Sequence, residues 1–560
     1  MKKITLLLMA VLAWVGSVSA QEAQSLLNFS WAHTVEGAAN ASNNVFEAQK
    51  AADGSYFVAN KIGTKTGALT AKFDGTAIEG FEGGTYGTAA AGNLYLQKLN
   101  VDGSVAWSLY TTKCDVSSVN IAPTSDGGAV LVIKSRVNEI EADNAKVLTL
   151  VDADKNTVAV GDANTAIKTY YLTFVKVDAE GKCQWTRLVT KAAGNSKTDY
   201  ITVNGCATGA SDEIYVAGKL SGAIEVANAA EGTATLTPHN ATSDFFLLKL
   251  DANGYYQNSL LPDENENVPS EADNIVYADG NVYLSGIVIG KGLYLADKEV
   301  VADETLKTPF LVSVKGDVLD VNYVNSFAPT ANKAAKPAFV VQLKALNYIG
   351  GNLYLTGSVN GGLSADGVSV DTESTMLKGL VLKANAADGK VQGMGINDTA
   401  AKGISNYFGV YEGEATFYTF GYDMAKSKSA ILFAFDGKSF EKRTEMEIAN
   451  VAAGANCAPI LVDGNSILMM TRGKAAPLTF LNTDVQLAGF SDWGSMYCLY
   501  TINDIPTGIS SATVAANAHG KVDVYTVSGV RVKTNVATSD ATKGLAKGMY
   551  VVGNKKVVIK

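Results

Sequence analysis

A short β-rich run, with a tyrosine near its start and a glycine three residues after it, returns four times in this 560-residue chain. The pairs are Tyr215 with Gly218, Tyr283 with Gly286, Tyr354 with Gly357 and, more loosely, Tyr418 with Gly421. Polar turns precede the clearest copies: Asp212 and Glu213, then Asp279 to Asn281, then Gly351 and Asn352. Successive tyrosines (215, 283, 354, 418) stand 68, 71 and 64 residues apart. A supersecondary unit that returns at a fixed interval cannot bury its apolar face alone, so it predicts a repeat architecture in which neighbours cover one another.

A second unit alternates with the first. Its best copies run from Asn93 to Trp107 and from Tyr171 to Trp185; a third, starting at Phe245 and turning at Gly254, lacks the tryptophan. In each, an alternating strand ends at lysine, an aliphatic residue and Asp or Asn, a turn carries a glycine, and a second strand follows, which is a hairpin signature. Degenerate tyrosine units lie at Asp53 to Ala59, Asp126 to Val132 and Asp463 to Met469. About seven units of each kind, in strict alternation, give about four strands per repeat, the strand count of a propeller blade. The expected fold is all-β: an about seven-bladed β-propeller over residues 21–503, followed by a small C-terminal β-sandwich within 504–560. The surplus over a compact propeller repeat falls at residues 138–169, 224–242 and 290–308, expected as loops. No sustained 3.6-residue apolar stripe marks a helix.

Trp31 follows no tyrosine unit, and the last hairpin unit, beginning at Trp493, is followed by no tryptophan strand. Pairing the two ends closes the ring and covers two strand edges. Residues 27–35 are therefore expected within the blade that holds Ile467 and Tyr497. The four tyrosines are expected at equivalent places on successive blades, and their glycines where strands or blades come close.

The first twenty residues read as a secretory signal peptide: Lys2 and Lys3, an apolar run over residues 6–15, and the small-residue site at Val18, Ser19 and Ala20, with a mature start at Gln21. The run is too short to span a membrane, and no other transmembrane candidate follows. A formal charge of −9 argues against a nucleic-acid or anionic-lipid surface, either of which needs clustered Lys and Arg. The five cysteines are scattered without a CxxC spacing, so at least one thiol stays unpaired within the chain and buried thiols are expected.

The repeat stops near Asn503, where Pro506 and Gly508 mark a linker. Beyond it come Val524, Tyr525, Val527 and Gly529, then Leu545, Gly548 and Tyr550, and a basic-aliphatic end from Lys555 to Lys560. In this combination residues 522–560 resemble the C-terminal sorting domain of cargo of the type IX secretion system of Gram-negative bacteria of the Bacteroidetes kind. The resemblance implies a compact β-sandwich read by that export machinery, a cell-surface or extracellular location, and removal of the tail after export in many cargo proteins. A small β-domain packed on the propeller is the plainer alternative. The Trp107 and Trp185 units are also similar to propeller repeats of bacterial exported proteins, a likeness that implies no activity.

Candidate chemistry is sparse. His33, His239 and His519 are too scattered to nominate a nucleophile and base. Asp152, Asp154 and Asn156 have the spacing that opens a calcium loop, but Thr157 and Ala163 stand where such a loop needs glycine and glutamate. These three are the weak metal candidates, calcium the one cofactor to consider, and a solvated acidic turn the competing reading. Tyr255 and Tyr256 are candidates for stacking on a sugar or for packing. The glycine-rich run from Gly83 to Gly87 lacks the Lys-Ser/Thr of a phosphate loop. No catalytic residue is nominated. The expected function is a non-enzymatic binding or scaffold protein with an unknown protein or glycan ligand. The alternatives are a secreted glycan-degrading enzyme with carboxylates at the channel, and a structural component of the cell envelope.

Overall fold

The structure, a computed structural model, describes residues 27–37, 44–64, 71–81, 85–86, 89–112, 115–136, 149–159, 170–197, 199–229, 232–240, 242–263, 268–335, 337, 339–397, 404–405, 408–413, 416–423, 430–447, 449–450, 456–474, 478–480, 486–487, 493–502, 521–526, 531–552 and 555–559. The signal peptide, the 503–520 linker, His519 and Cys114 lie outside them. The described residues are all-β, with one 3-10 turn at Thr538–Asp540.

Antiparallel sheets of one plan follow one another along the chain, each going up and down four times. The first consists of Asn44–Lys50, Tyr56–Thr64, Ala89–Leu99 and Val105–Thr112; the second of Asp115–Pro123, Ala129–Arg136, Tyr170–Val177 and Cys183–Lys191. The third runs Ile201–Thr208, Ile214–Leu220, Asp244–Leu250, Tyr256–Leu260, and the fourth Ser270–Ala278, Asn281–Ile289, Lys307–Lys315, Val321–Ser326. The fifth is Val340–Ile349, Asn352–Asn360, Lys378–Asn385 and Val391–Ile396, and the sixth is built on Val410–Glu412, Thr416–Asp423, Ala430–Asp436 and Lys442–Glu447. The seventh joins Asn456–Asp463, Ser466–Lys474 and Trp493–Ile502 to the chain's opening strand, Leu27–Glu36. The first strands of neighbouring sheets lie side by side, including those of the seventh and the first, and at the junction of the fifth and sixth Ile404–Ser405 meets the second and third strands of the fifth. Sheets standing radially around a common axis in this way form a β-propeller.

The apolar core is a ring of interfaces. Each adjacent pair of sheets encloses its own cluster: Phe57 and Trp107 with Val175 between the first and second, for example, and Trp31 and Tyr497 with Val58 between the seventh and first. This is how so long a chain avoids a single oversized core. Burial follows from position. Second and third strands are covered on both faces, and Ala129–Arg136, Asn281–Ile289 and Lys307–Lys315 are buried almost throughout. Outer strands such as Cys183–Lys191 are mostly half-exposed. The tyrosine unit and the strand that opens the hairpin unit are therefore the most apolar segments, which is why they stood out.

The expected closure is present. Leu27 pairs with Ile502 and Val35 with Ser495, while Ser466–Lys474 flanks the same strand of the seventh sheet.

All four repeated tyrosines lie on second strands at one register. Tyr215, Tyr283, Tyr354 and Tyr418 face Lys249, Ser313, Lys383 and Ala434, beside a bulge shared with the fourth strand. In the first sheet this place belongs to Phe57, opposite Lys98, rather than to Tyr56. The glycines answer to a different bulge, in the first strand. Gly218, Gly286 and Gly357 pair with Val203, Ala272 and Leu343, the last residues before it. A Cβ at these glycines would sit inside the backbone carbonyls of Thr202, Glu271 and Gln342. The bulge tips a carbonyl onto the second strand, and only hydrogen fits beneath it.

Each stretch of extra length expected as a loop holds a small hairpin among its described residues. Between second and third strands the chain inserts a small two-stranded ribbon: Ile224–Asn228 with Gly232–Leu236 in the third sheet, Leu293–Leu295 with Lys298–Val300 in the fourth, and Thr149–Val151 with Thr157–Ala159 in the second. The ribbons of the second and third sheets hydrogen-bond to the outer strand of the preceding sheet, Thr149 opposite Thr112 and Glu225 opposite Thr190. The first sheet's ribbon, Lys72–Phe73 with Thr76–Ala77, grips the closing strand through Val35 and Glu36 in the same way.

The tryptophans form a third link. Trp31, Trp107 and Trp185 stand on outer strands beneath the turn glycine of the next sheet, Gly103, Gly181 and Gly254. Trp31 Nε1 donates to the Val101 carbonyl at 3.1 Å, and Trp107 Nε1 to that of Ala179 at 2.7 Å. Tyr323 takes this role between the fourth and fifth sheets, its hydroxyl donating to the Ala386 carbonyl at 3.2 Å. On the outer strand of the third sheet Asn258 stands in the tryptophan's place, its Nδ2 donating to the Val318 carbonyl at 2.9 Å.

In the tail, Lys521–Thr526, Arg531–Ala537, Gly548–Val552 and Lys555–Ile559 form one four-stranded antiparallel sheet. A second sheet, which a sandwich requires, is absent among the described residues. No helix among the described residues is long and apolar enough to cross a membrane.

Candidate functional site

First strands are covered on one side only, because their other side faces the axis. Together they bound a channel with a cavity of about 600 Å³, to which every sheet contributes. That is the size of a small-molecule pocket. The walls mix small residues, such as Ala122, Ala207 and Ala345, with amides, the carboxylates of Glu47 and Asp463, and the lysines Lys50 and Lys344.

Glu47 anchors one side. Gln49 Nε2 donates to its Oε1 at 2.6 Å, and Asn120 Nδ2, from the second sheet, to its Oε2 at 3.2 Å. Burial pushes the Glu47 carboxyl up to about 7, and the hydrogen bonds from Gln49, the Ile121 backbone and Asn120 only partly oppose it. The Oδ1 atoms of Asn120 and Asn347 are buried without a hydrogen-bond partner, and both residues line the cavity. Three further polar groups at the wall are committed. Asn204 Nδ2 donates to the Ala272 carbonyl at 2.7 Å, Asn274 Nδ2 to Ser285 Oγ at 3.0 Å, and Lys50 Nζ to Ser466 Oγ at 3.2 Å.

A second carboxyl with a displaced pKa, Asp273, occupies the first-strand bulge of the fourth sheet. Burial, then the charge of Glu271, pushes it up to about 7 against the attraction of Lys307, Lys344 and Lys219, and its Oδ2 has no partner. Cys206 also lines the cavity, its thiol pushed well above the ordinary value by burial and then by Glu47.

The candidates named from sequence lie elsewhere. Asp152 is buried and folds into its own turn: Oδ1 accepts the Asn156 backbone N–H at 2.9 Å, and Oδ2 accepts Asn156 Nδ2 and the Cys183 N–H, each at 3.4 Å. Asp154 pairs with Lys182 at 2.9 Å. Asp152 and Asp154 thus point oxygens at donors of this chain, Asn156 itself donates to Asp152, and Asp162 and Ala163 lie outside the described residues. Among the described residues no group of three or more His, Cys, Asp or Glu side chains gathers for a metal ion. Asp251 is likewise a self-capped turn, accepting the Asn253 and Tyr255 N–H groups at 2.9 Å. Tyr255 packs under the Arg187 guanidinium at 4.3 Å, and Tyr256 bonds Ser259, so packing explains both.

His33 belongs to the closure. Its Nδ1 meets Asp74 Oδ2 and its Nε2 the Gly103 carbonyl, each at 2.8 Å. His239 Nδ1 meets the Pro262 carbonyl at 2.9 Å.

Sequence reasoning passed over Glu47, Asn120, Asp273 and Asn347. The available signal was positional: all four lie on the strand just before a polar turn of the tyrosine unit, the strand nearest the axis.

No protein-family model matches the sequence, and no curated protein matches it. Among solved structures, the chain is similar to BamB from Moraxella catarrhalis at 12% identity, over 73% of this chain and 91% of that one, with a TM-score of 0.32. It is similar to the quinohemoprotein alcohol dehydrogenase ADHIIG from Pseudomonas putida HK5 at 10% identity, over 87% and 77%, with a TM-score of 0.34. A protein of unknown function from Dyadobacter fermentans matches at 9% identity, over 70% and 96%, with a TM-score of 0.33.

Proposed function

We propose that this chain is an exported, seven-bladed β-propeller that holds a ligand in its axial channel without transforming it, and that its C-terminal sheet serves as the export address. One observation carries the binding reading. The channel is polar, sized for a ligand and lined from every sheet.

The export reading draws on the sequence. The basic-apolar start and the sorting-domain resemblance of residues 522–560 support a surface or extracellular location in a Gram-negative bacterium. The thin core of the tail, with Val524, Ala541 and Val551 as its buried apolar residues among those described, suits a module that contributes little to the propeller. The test is a chain ending at residue 503, expressed in a type IX-competent host beside the full chain. The truncated protein stays folded in the periplasm, and residues 504–560 fused to an inert secreted passenger carry it to the surface. Surface exposure of the truncated protein at full level, or its failure to fold, overturns the export reading. Chemical change in a bound ligand overturns the binding reading.

A further inference from the structure

At the junction of the fifth and sixth sheets the aromatic and the glycine exchange places. Here the ring comes from the turn: Phe440, at φ +59°, lies against Gly393 on the fifth sheet's outer strand, where a Cβ would approach the ring to 2.4 Å. A left-handed backbone is costly at phenylalanine, and packing on Phe417, with ring centroids 4.9 Å apart, helps to hold it there. Lys442 follows two residues later and opens the sixth sheet's outer strand, so it reaches the end of the fifth sheet's outer strand. There its Nζ donates to Asn397 Oδ1 at 2.7 Å, and also to Glu445 Oε2 at 2.9 Å. Asn397 is fully buried, and its backbone N–H is tied to the Gly379 carbonyl at 3.0 Å. An amine, a carboxamide and a carboxylate therefore meet across two sheets, with the carboxamide enclosed. Since a C=O bond is about 1.2 Å long, Asn397 Cγ lies within about 4 Å of the lysine nitrogen, close to the about 3–3.5 Å of a near-attack arrangement.

We propose that Lys442 and Asn397 join in an intramolecular isopeptide bond, with Glu445 as the catalytic residue that moves the protons. Glu445 takes a proton from the lysine ammonium. The freed amine attacks Asn397 Cγ, the Nζ–Cγ bond forms, and Oδ1 carries the charge of the tetrahedral adduct. Glu445 passes its proton to the amide nitrogen as the Cγ–Nδ2 bond breaks, takes a second proton from Nζ, and gives that one to the departing ammonia. In sum, a lysine ammonium and an asparagine carboxamide become a secondary amide and an ammonium ion. Nothing is oxidised or reduced, and no co-reactant is needed. The fold supplies the proximity that makes an amine and an unactivated amide react. The bond staples the fifth sheet to the sixth and limits how far that seam opens. It is independent of what the channel holds.

The test is tryptic peptide mapping of the folded, full-length mature protein by mass spectrometry. Residues 391–402 and 439–443 are recovered as one branched peptide, uncut after Lys442 and lighter than its two parts by about 17 Da, the mass of one ammonia. Mapping is chosen over intact mass because cyclisation of an N-terminal Gln21 also releases ammonia. Lys442→Arg, which keeps the charge but not the nucleophile, gives separate peptides. Glu445→Gln also gives separate peptides, although the protein is folded by circular dichroism. Separate, unmodified peptides from the folded parent protein overturn the proposal and leave an ion pair and a hydrogen bond at this seam. A branched peptide at parental yield in folded Glu445→Gln overturns the role given to Glu445. If neither variant folds, the parent map alone decides whether the bond exists, and its appearance during refolding of denatured, unjoined chain shows that the fold makes it; a refolded chain that stays unjoined overturns the proposal.

Discussion

Gly181→Ala tests whether adjacent sheets are locked by an aromatic beneath a turn. Gly181 has φ +80°, and a Cβ built there would lie 2.5 Å from Trp107 Cδ2. Two penalties follow. The left-handed backbone costs alanine about 1–2 kcal/mol. Forcing the Trp107 ring aside costs about 1–3 kcal/mol, as overpacking does. Trp107→Ala alone costs about 3–5 kcal/mol, because the ring is nearly buried and its Nε1 bonds the Ala179 carbonyl. Once the ring is gone the overpacking vanishes, and Gly181→Ala in that background costs about 1–2 kcal/mol through the backbone alone. The cycle therefore shows a coupling of about 1–3 kcal/mol. A repeat assembly opens locally, so the readout is amide hydrogen exchange in Val105–Thr112 and Tyr170–Val177 under native conditions. Additivity within about 0.5 kcal/mol refutes the lock.

Three further outcomes are expected. Deleting residues 21–37 removes the outer strand of the seventh sheet and exposes the edge of Trp493–Ile502; the shortened protein aggregates or melts at lower temperature, and a synthetic 21–37 peptide restores the melt in trans, whereas an unchanged melting curve contradicts the closure. Gly218→Ala lowers stability by about 1–3 kcal/mol in urea unfolding, because its methyl meets the Thr202 carbonyl and the strand bulge must reopen; a stabilised variant contradicts that reading. Glu47 has a folded-state pKa of about 7 against 4.5, so between those values the folded protein keeps a proton that the unfolded chain has lost, and stability falls as pH rises through that window. Channel water reduces the full linkage to about 1–2 kcal/mol, and melts of Glu47→Gln against the parent diverge by that amount from pH 4.5 to 7.5, while parallel curves contradict it.

What was legible in the sequence is what burial on both faces writes there. The strands carrying Tyr215, Tyr283 and Tyr354 are covered by neighbours on each side, so they read as continuous apolar runs, and the bulge above Gly218 leaves a glycine at fixed distance. The closure was legible because Trp31 had no unit before it. The ribbons were not, because segments as short as Leu293–Leu295 carry no periodicity and some, such as Ile224–Asn228, pair with a strand of another sheet. The channel was missed for a related reason. Glu47 and Asn120 alternate with apolar neighbours as solvent-facing residues do, and nothing local distinguishes a strand facing an enclosed axis from one facing bulk water. Asp152, Asp154 and Asn156 misled in the opposite direction, since a self-capped turn uses the same oxygen-rich residues as a calcium loop.

The central claim, that the working surface is the axial channel, is tested most directly by a crystal structure of the protein soaked with a panel of short saccharides. The account predicts sugar density between the first strands of the sheets, against cavity-lining residues such as Glu47 and Lys344. Sugar density confined to outer strands, ribbons or the tail sheet, with only water in the channel, contradicts it.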